Sequence, residues 1–139
     1  MYFLDTDILT MAHAGHARVS DQLRRVDPNE VAITVITRIE ILQGRFASIL
    51  KASDGEQLVR AQEFLQRSDQ RLRMLEIIPV GAATATEFDR LRQNKKLKKI
   101  GRGDLLIASI ALAHRATLVT RNMKDFRQIP GLRVENWAD

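Results

Sequence analysis

The 139-residue chain contains no cysteine and only three prolines. Without cysteine, disulfides, thiolate nucleophiles and cysteine-ligated metals are all excluded, and a reducing cytoplasm is compatible with the composition. No stretch rich in proline, glycine or serine divides the sequence. We therefore expect residues 1–139 to form one domain.

The chain also lacks a long hydrophobic run. Its longest apolar stretch, residues 105–113, contains Ser109 and falls far short of the roughly 18 residues that a membrane span requires. Asp5 and Asp7 stand where a signal peptide would have a basic start and an apolar core. The sequence thus predicts a cytoplasmic protein without a membrane partner.

Positive charge is in excess, with 22 Lys and Arg against 17 Asp and Glu, a net charge of +5 and a pI of about 10.1. Such a surface favours a polyanionic partner such as nucleic acid, although net charge alone serves solubility equally well. The distribution of the charge is more informative. Lys95, Lys96, Lys98, Lys99 and Arg102 are concentrated in the segment just before Asp104.

Predicted strands and helices alternate along the chain. The strands are 2–4, 31–35, 77–80, 117–120 and 132–134, and the helices are 8–13, 19–26, 36–46, 55–75, 82–92 and 104–114. This alternation predicts an α/β fold with a mainly parallel sheet covered by helices on both faces. In such sheets ligands bind at the carboxyl ends of the strands, so residues after 4 and after 120 are the places to look.

Two acids have both a structural and a functional interpretation. Asp5 directly follows the first strand and either caps the helix that begins near Ile8 or lies at the rim of a site. Glu40 either closes a capping box with Thr37 or, if Thr34 is the cap, lies deeper in the helix with a free carboxylate.

Asp104 opens an otherwise apolar helix. The helix dipole favours an acid there, but a buried carboxylate needs a basic partner or a metal, which makes Asp104 the strongest single candidate.

Asn122 and Asp125 follow the strand at 117–120 and could bind a cation or cap a turn. Gathered acids repel one another unless a cation compensates them, and their hard oxygens suit Mg²⁺ or Mn²⁺. The three histidines show no zinc-ligand pattern.

Five segments together resemble the PIN-domain nucleases, and most closely the VapC-type toxins of type II toxin–antitoxin pairs. They are FLDTD at 3–7, ITVITRIEILQG at 33–44, GRGDLLIA at 101–108, LVTRN at 118–122 continuing to Phe126, and PGL at 130–132 leading to ENW at 135–137. Each segment alone is weak evidence, whereas five in order and at plausible spacing are specific. The resemblance spans the whole chain.

The resemblance implies a three-layer PIN-like fold and Mg²⁺-dependent cleavage of RNA, with Mn²⁺ as a substitute. It places the family's acids on Asp5, Glu40 and Asp104, and its fourth acidic position on Asn122. Asn122 departs from the family pattern, in which this position is acidic. An amide binds a cation less strongly than a carboxylate does, and Asp125 is an alternative source of the missing negative charge. The resemblance further implies a homodimer and a small antitoxin protein as partner.

Lys99 and Arg102 are candidates to hold the RNA backbone, or they belong to a solvated loop. Two other functions compete with the nuclease. The first is a phosphatase, because Asp5-Thr6-Asp7 looks like the opening motif of haloacid dehalogenase-type phosphatases, in which the first acid is a nucleophile. Those enzymes also need a Gly-Asp pair near a strand end, and Gly103-Asp104 is the nearest candidate here. The second is a PIN-like module that binds RNA or protein without catalysis.

Overall fold

A computed structural model describes residues 1–139 and contains one five-stranded sheet. Every neighbouring pair of strands is parallel, and the strand order is β3-β2-β1-β4-β5. The strands are β1 Tyr2–Leu4, β2 Val31–Thr34, β3 Glu76–Ile78, β4 Thr117–Val119 and β5 Arg133–Glu135. The first strand of the chain is therefore the central strand of the sheet.

Seven helices connect and flank the strands. They are α1 Thr6–His13, α2 Ala17–Arg25, α3 Val35–Leu50, α4 Gly55–Arg73, α5 Ala82–Arg92, α6 Arg102–Ala113 and α7 Met123–Phe126, with 3-10 turns at Pro28–Glu30 and Lys95–Leu97. Parallel strands require such crossover connections, because the chain has to return to the same end of the sheet each time.

Two apolar cores lie on opposite faces of the sheet. Phe3 packs with α5 and α6 on one face, whereas Leu4 packs with α1 and α2 on the other. This alternation follows from the strand period of two, which directs successive side chains to opposite faces. The predicted three-layer α/β fold with a parallel sheet is confirmed.

Several element boundaries differ from the prediction in ways that matter for the site. Helix α6 begins at Arg102 rather than at 104, so Asp104 lies within its first turn instead of at its first position. Strand β3 ends at Ile78, before Pro79, and lies at an edge of the sheet, as expected for a strand followed by a residue without an N–H. The lysine-rich segment is anchored by the buried side chain of Leu97.

The carboxyl ends of β1, β2 and β4 lie side by side. Asp5 follows β1, Val35 follows β2 and Thr120 follows β4, so each of these residues begins its loop or helix at the same edge of the sheet. No helix has the length and apolarity needed to cross a membrane.

Replacing a leucine of the central sheet tests this arrangement. Leu118, on β4, is completely buried, so Leu118→Ala should lower the free energy of unfolding by about 2–5 kcal/mol in denaturant titrations. The matched control is Leu50→Ala at the end of α3, where 86% of the side chain is exposed and the expected change is within about 0.5 kcal/mol. Equal losses from the two substitutions would contradict the assignment of the core.

Candidate functional site

Asp5 is fixed at the carboxyl end of the central strand by both of its carboxylate oxygens. Oδ1 accepts a hydrogen bond of 2.9 Å from the backbone N–H of Ile8 and thereby caps α1, while Oδ2 accepts one of 2.5 Å from the hydroxyl of Thr120. The residue is only 8% exposed. Cap and site residue, which the sequence presented as alternatives, are therefore compatible roles of the same side chain.

Thr120 is a part of the site that sequence reasoning missed. Its fully buried hydroxyl donates to Asp5 and accepts a hydrogen bond of 3.0 Å from the backbone N–H of Asn122. The same side chain thus connects the acid after β1 with the loop after β4. Its place directly after a buried strand, at the edge where ligands bind, was the available signal.

Glu40 is not part of a capping box. The cap of α3 is Thr34, whose hydroxyl accepts from the N–H of Thr37 at 3.2 Å, so Glu40 lies in the second turn of the helix. Its exposed carboxylate accepts a hydrogen bond of 2.8 Å from the hydroxyl of Thr6 through Oε1. A Cβ atom placed on Gly103 would lie 3.6 Å from Oε2, which brings this carboxylate against the first turn of α6.

Asp104 faces Asn122 from the first turn of α6. The side-chain nitrogen of Asn122 donates to Oδ2 of Asp104 at 3.4 Å and to Oδ2 of Asp125 at 3.0 Å. The amide oxygen of Asn122 accepts from the backbone N–H of Asp125 at 3.4 Å and so caps α7. Asn122 therefore presents its N–H₂ group, not its oxygen, to the two carboxylates between which it lies.

Asp5, Glu40, Asp104 and Asp125 form one acid cluster, because Asp104 is repelled by each of the other three or repels it. Burial raises the pKa of Asp5 from 3.8 to about 6, opposed by the hydrogen bonds from Thr120 and Ile8 and reinforced by repulsion from Asp104. Burial is also the main cause that raises the pKa of Asp104, followed by repulsion from Glu40 and Asp125.

Asp7 is a further acid of this cluster that the nuclease prediction did not include. It lies exposed in the first turn of α1 and contributes to the raised pKa values of both Asp5 and Asp104. Its position two residues after a strand-end acid was the only sequence signal. Lys99 and Arg102 are both exposed, Lys99 just before α6 and Arg102 as its first residue.

The donor set fits a hard divalent cation. None of the ion pairs of the structure involves Asp5, Glu40, Asp104 or Asp125, so no basic side chain compensates the cluster. No three acidic or histidine side chains converge at ligation distance around one point. Mg²⁺ does not require such a cage, since it usually keeps several waters and binds protein through one or two carboxylates.

Comparison with known proteins identifies the class to which this fold and site belong. The sequence profile of the PIN domain matches residues 2–132. The chain belongs to the PIN-domain family. Nucleases of this family generally depend on divalent metal ions.

Within the family, the relatives are ribonucleases of VapC type. Ribonuclease VapC2 of Rickettsia felis is 36% identical, covering 99% of this chain and 98% of its own. The tRNA(fMet)-specific endonuclease VapC of Salmonella typhimurium is 25% identical over 99% and 98% of the two chains. The solved structure of VapBC2 from Rickettsia felis, bound to a DNA fragment from its promoter, matches with a TM-score of 0.74 and 36% identity over 98% of each chain.

The phosphatase alternative finds no support in this comparison or in the geometry. Asp104 lies in the first turn of a helix rather than at the end of a strand.

The raised pKa of Asp5 predicts a specific pH dependence of stability in the absence of metal. Between pH 3.8 and about 6 the folded protein holds this proton more tightly than the unfolded chain, so the contribution of Asp5 to stability falls as pH rises. Asp5→Asn keeps the cap and removes the titration. As pH rises, the free energy of unfolding of Asp5→Asn should increase relative to that of the wild type. The change in this difference between low pH and pH 7 should be on the order of 3 kcal/mol.

Denaturant titrations at a series of pH values in a chelator measure this difference. Asp54→Asn is the matched control for removal of a capping carboxylate, because Asp54 caps α4 in the same way but lies exposed. A gain of the same size in Asp54→Asn would show that capping, not burial, causes the effect. Parallel curves for Asp5→Asn and wild type would show that burial does not hold a proton on Asp5.

Proposed function

We propose that the chain is a Mg²⁺-dependent endoribonuclease and the toxin of a toxin–antitoxin pair, with residues 1–139 as one PIN domain. The observation that carries the proposal is the uncompensated acid cluster at the carboxyl edge of the sheet, in which Asp5 and Asp104 share raised pKa values. Membership of the PIN-domain family and the likeness to named ribonucleases support the same activity.

Asp5 and Asp104 are the residues that would hold Mg²⁺ or Mn²⁺, with Glu40 and Asp125 contributing directly or through water. When bound, the cation supplies Lewis acidity and neutralises negative charge at the scissile phosphate. Thr120 keeps the Asp5 carboxylate in one orientation through its hydrogen bond, which is the role of an outer partner of a metal ligand.

In this proposal, Glu40 orients the attacking water and accepts its proton. Its Oε1 is occupied by the hydroxyl of Thr6, while its Oε2 lies toward the first turn of α6 beside Asp104. An exposed carboxylate oriented in this way can direct a water molecule and accept its proton as a general base.

Asn122 acts as a spacer in this proposal rather than as a ligand. Its N–H₂ group donates to Asp104 and Asp125 and so weakens their mutual repulsion, while its oxygen is occupied in capping α7. The fourth negative charge of the site comes from Asp125. Because the neutral amide takes the place of an acid, the site should hold one cation tightly.

RNA is the polyanionic partner that the net charge of +5 favours, and Lys99 and Arg102 are the proposed contacts to its backbone. A small antitoxin is the proposed protein partner, since the similar solved structures include toxin–antitoxin complexes. A homodimer, higher hetero-oligomers with the antitoxin and a cytoplasmic location remain predictions from the sequence.

The decisive experiment is cleavage of RNA by the purified protein and by Asp104→Asn. This substitution preserves the shape of the side chain but removes its charge. The rate should fall more than about 100-fold, because changes to mere outer partners of metal ligands already cost about 10- to 100-fold. A chelator should abolish cleavage by the wild type, and Mg²⁺ or Mn²⁺ should restore it.

Asp89→Asn, an exposed acid on α5, is the control and should cut at the wild-type rate. Circular dichroism and thermal unfolding establish that each variant is folded. A folded Asp104→Asn protein that cuts RNA as fast as the wild type would overturn the site, and so would cleavage that is undiminished in chelator.

The spacer role of Asn122 gives a second test. Asn122→Asp keeps the cap of α7 but replaces the N–H₂ donor with another carboxylate, so the variant should be less stable without metal. A higher ligand charge strengthens cation binding, and Mn²⁺ should therefore raise its melting temperature more than that of the wild type. Asn94→Asp, which changes another capping asparagine, should show no such gain. An equal response to Mn²⁺ in Asn122→Asp and wild type would contradict this role.

A further inference from the structure

A cavity of ≈ 310 Å³ lies between α5 and the start of α6, outside the acid cluster. Its floor is apolar and includes Leu97 and Leu105, both of which belong to the buried core. Phe88, Arg92, Lys98 and Arg102 line its sides, and no acidic residue contributes to it. The cavity therefore combines an apolar floor with positive charge.

The three cations of this cavity are not committed to other contacts of opposite charge. Arg92, Lys98 and Arg102 are all exposed, and none of them takes part in an ion pair of the structure. Three uncompensated cations around a concave surface attract an anionic ligand more strongly than the same charges on a flat one, because the cavity concentrates their field.

The aromatic ring gives the cavity a flat apolar face. Phe88 is partly buried and packs on the core, which holds its ring in place. The guanidinium of Arg92 lies 5.8 Å from the centre of that ring. An aromatic face beside Arg is the combination on which unpaired bases stack in proteins that bind single-stranded nucleic acid.

The cavity and the acid cluster lie on different sides of the first turn of α6. Arg102 and Asp104 are two positions apart on α6, and at 3.6 residues per turn their side chains leave the helix in nearly opposite directions. Arg102 lines the cavity, whereas Asp104 faces Asn122. A strand whose phosphate lies at the acids can thus place a neighbouring nucleotide in the cavity by crossing the end of α6, a helix about 10 Å wide.

We propose that this cavity binds one unpaired nucleotide of the RNA substrate, next to the cleaved phosphodiester. Its base lies against Phe88 and the apolar floor, and its phosphate contacts Lys98 and Arg102. The proposal rests on the proposed ribonuclease function and extends it. Arg92 and Lys98, rather than Lys99, join Arg102 at this subsite, since Lys99 does not line the cavity.

Binding of a short single-stranded RNA, measured by fluorescence anisotropy in chelator, tests the subsite without relying on cleavage. Phe88→Leu keeps an apolar side chain but removes the ring, and should weaken binding about tenfold. Lys98→Gln should reduce the slope of log Kd against log salt by about 0.7, the value for one phosphate contact on a single strand. Lys96→Gln, an exposed lysine of the same segment outside the cavity, should leave the slope unchanged.

Abasic substitutions in the RNA, introduced one position at a time, separate base stacking from general attraction. At one position the loss of the base should weaken binding to the wild type about tenfold and leave binding to Phe88→Leu unchanged. Thermal unfolding establishes that each variant is folded under the assay conditions.

The outcomes distinguish this proposal from the one on which it rests. If the wild type cuts RNA but binds it no better than Phe88→Leu and Lys98→Gln do, the subsite is wrong and the nuclease stands. Equal effects of Lys96→Gln and Lys98→Gln, or binding of a poly-glutamate peptide as tight as that of RNA, would also overturn the subsite. A wild type that neither binds nor cuts RNA would overturn the proposed function and the subsite together.

Discussion

The hydrogen bond between Thr120 and Asp5 joins the ends of the central strand β1 and its neighbour β4, and the geometry of the site depends on it. β1 and β4 pair in parallel, so the residues that follow them leave the sheet side by side. The hydroxyl of Thr120 orients the carboxylate of Asp5 and receives the N–H of Asn122, which begins the segment leading to Asp125. This one buried hydroxyl thus fixes the position of Asp5, near the start of the chain, relative to the loop that contains Asn122, near its end.

Negative and positive charges are concentrated on different surfaces of this protein, which the net charge does not reveal. The chain is basic overall, yet its sheet edge carries an acid cluster without a basic partner, and one group of exposed cations lies on α5 and on residues 95–102 just after it. Such a distribution draws a polyanion to the surface and keeps it away from the acids until a cation compensates them. In our proposals, RNA binding and RNA cleavage take place on neighbouring but different surfaces, with the first turn of α6 between them.

A residue that caps a helix can also belong to the candidate site. A carboxylate has two oxygens, and Asp5 uses one for the cap of α1 and the other for Thr120. At Glu40 the local pattern was misleading, because Thr34 and Thr37 are both acceptable caps and only the end of β2 decides between them. At Asn122, capping does exclude the role of a cation ligand. Its amide oxygen caps α7, and only its nitrogen reaches the acids.

Much of the fold was determined by the sequence itself. The alternation of β-branched strands with amphipathic helices predicted a parallel sheet covered on both faces, because periodicity and turn residues act over a few neighbouring positions. It also placed Asp5 and Thr120 at strand ends and Asp104 at the start of a buried helix. Which side chains meet was decided by the tertiary structure alone. The inclusion of Asp7, the position of Asn122 between two carboxylates, and the cavity beside Phe88 all depend on how elements distant in sequence pack, and no local pattern encodes that packing.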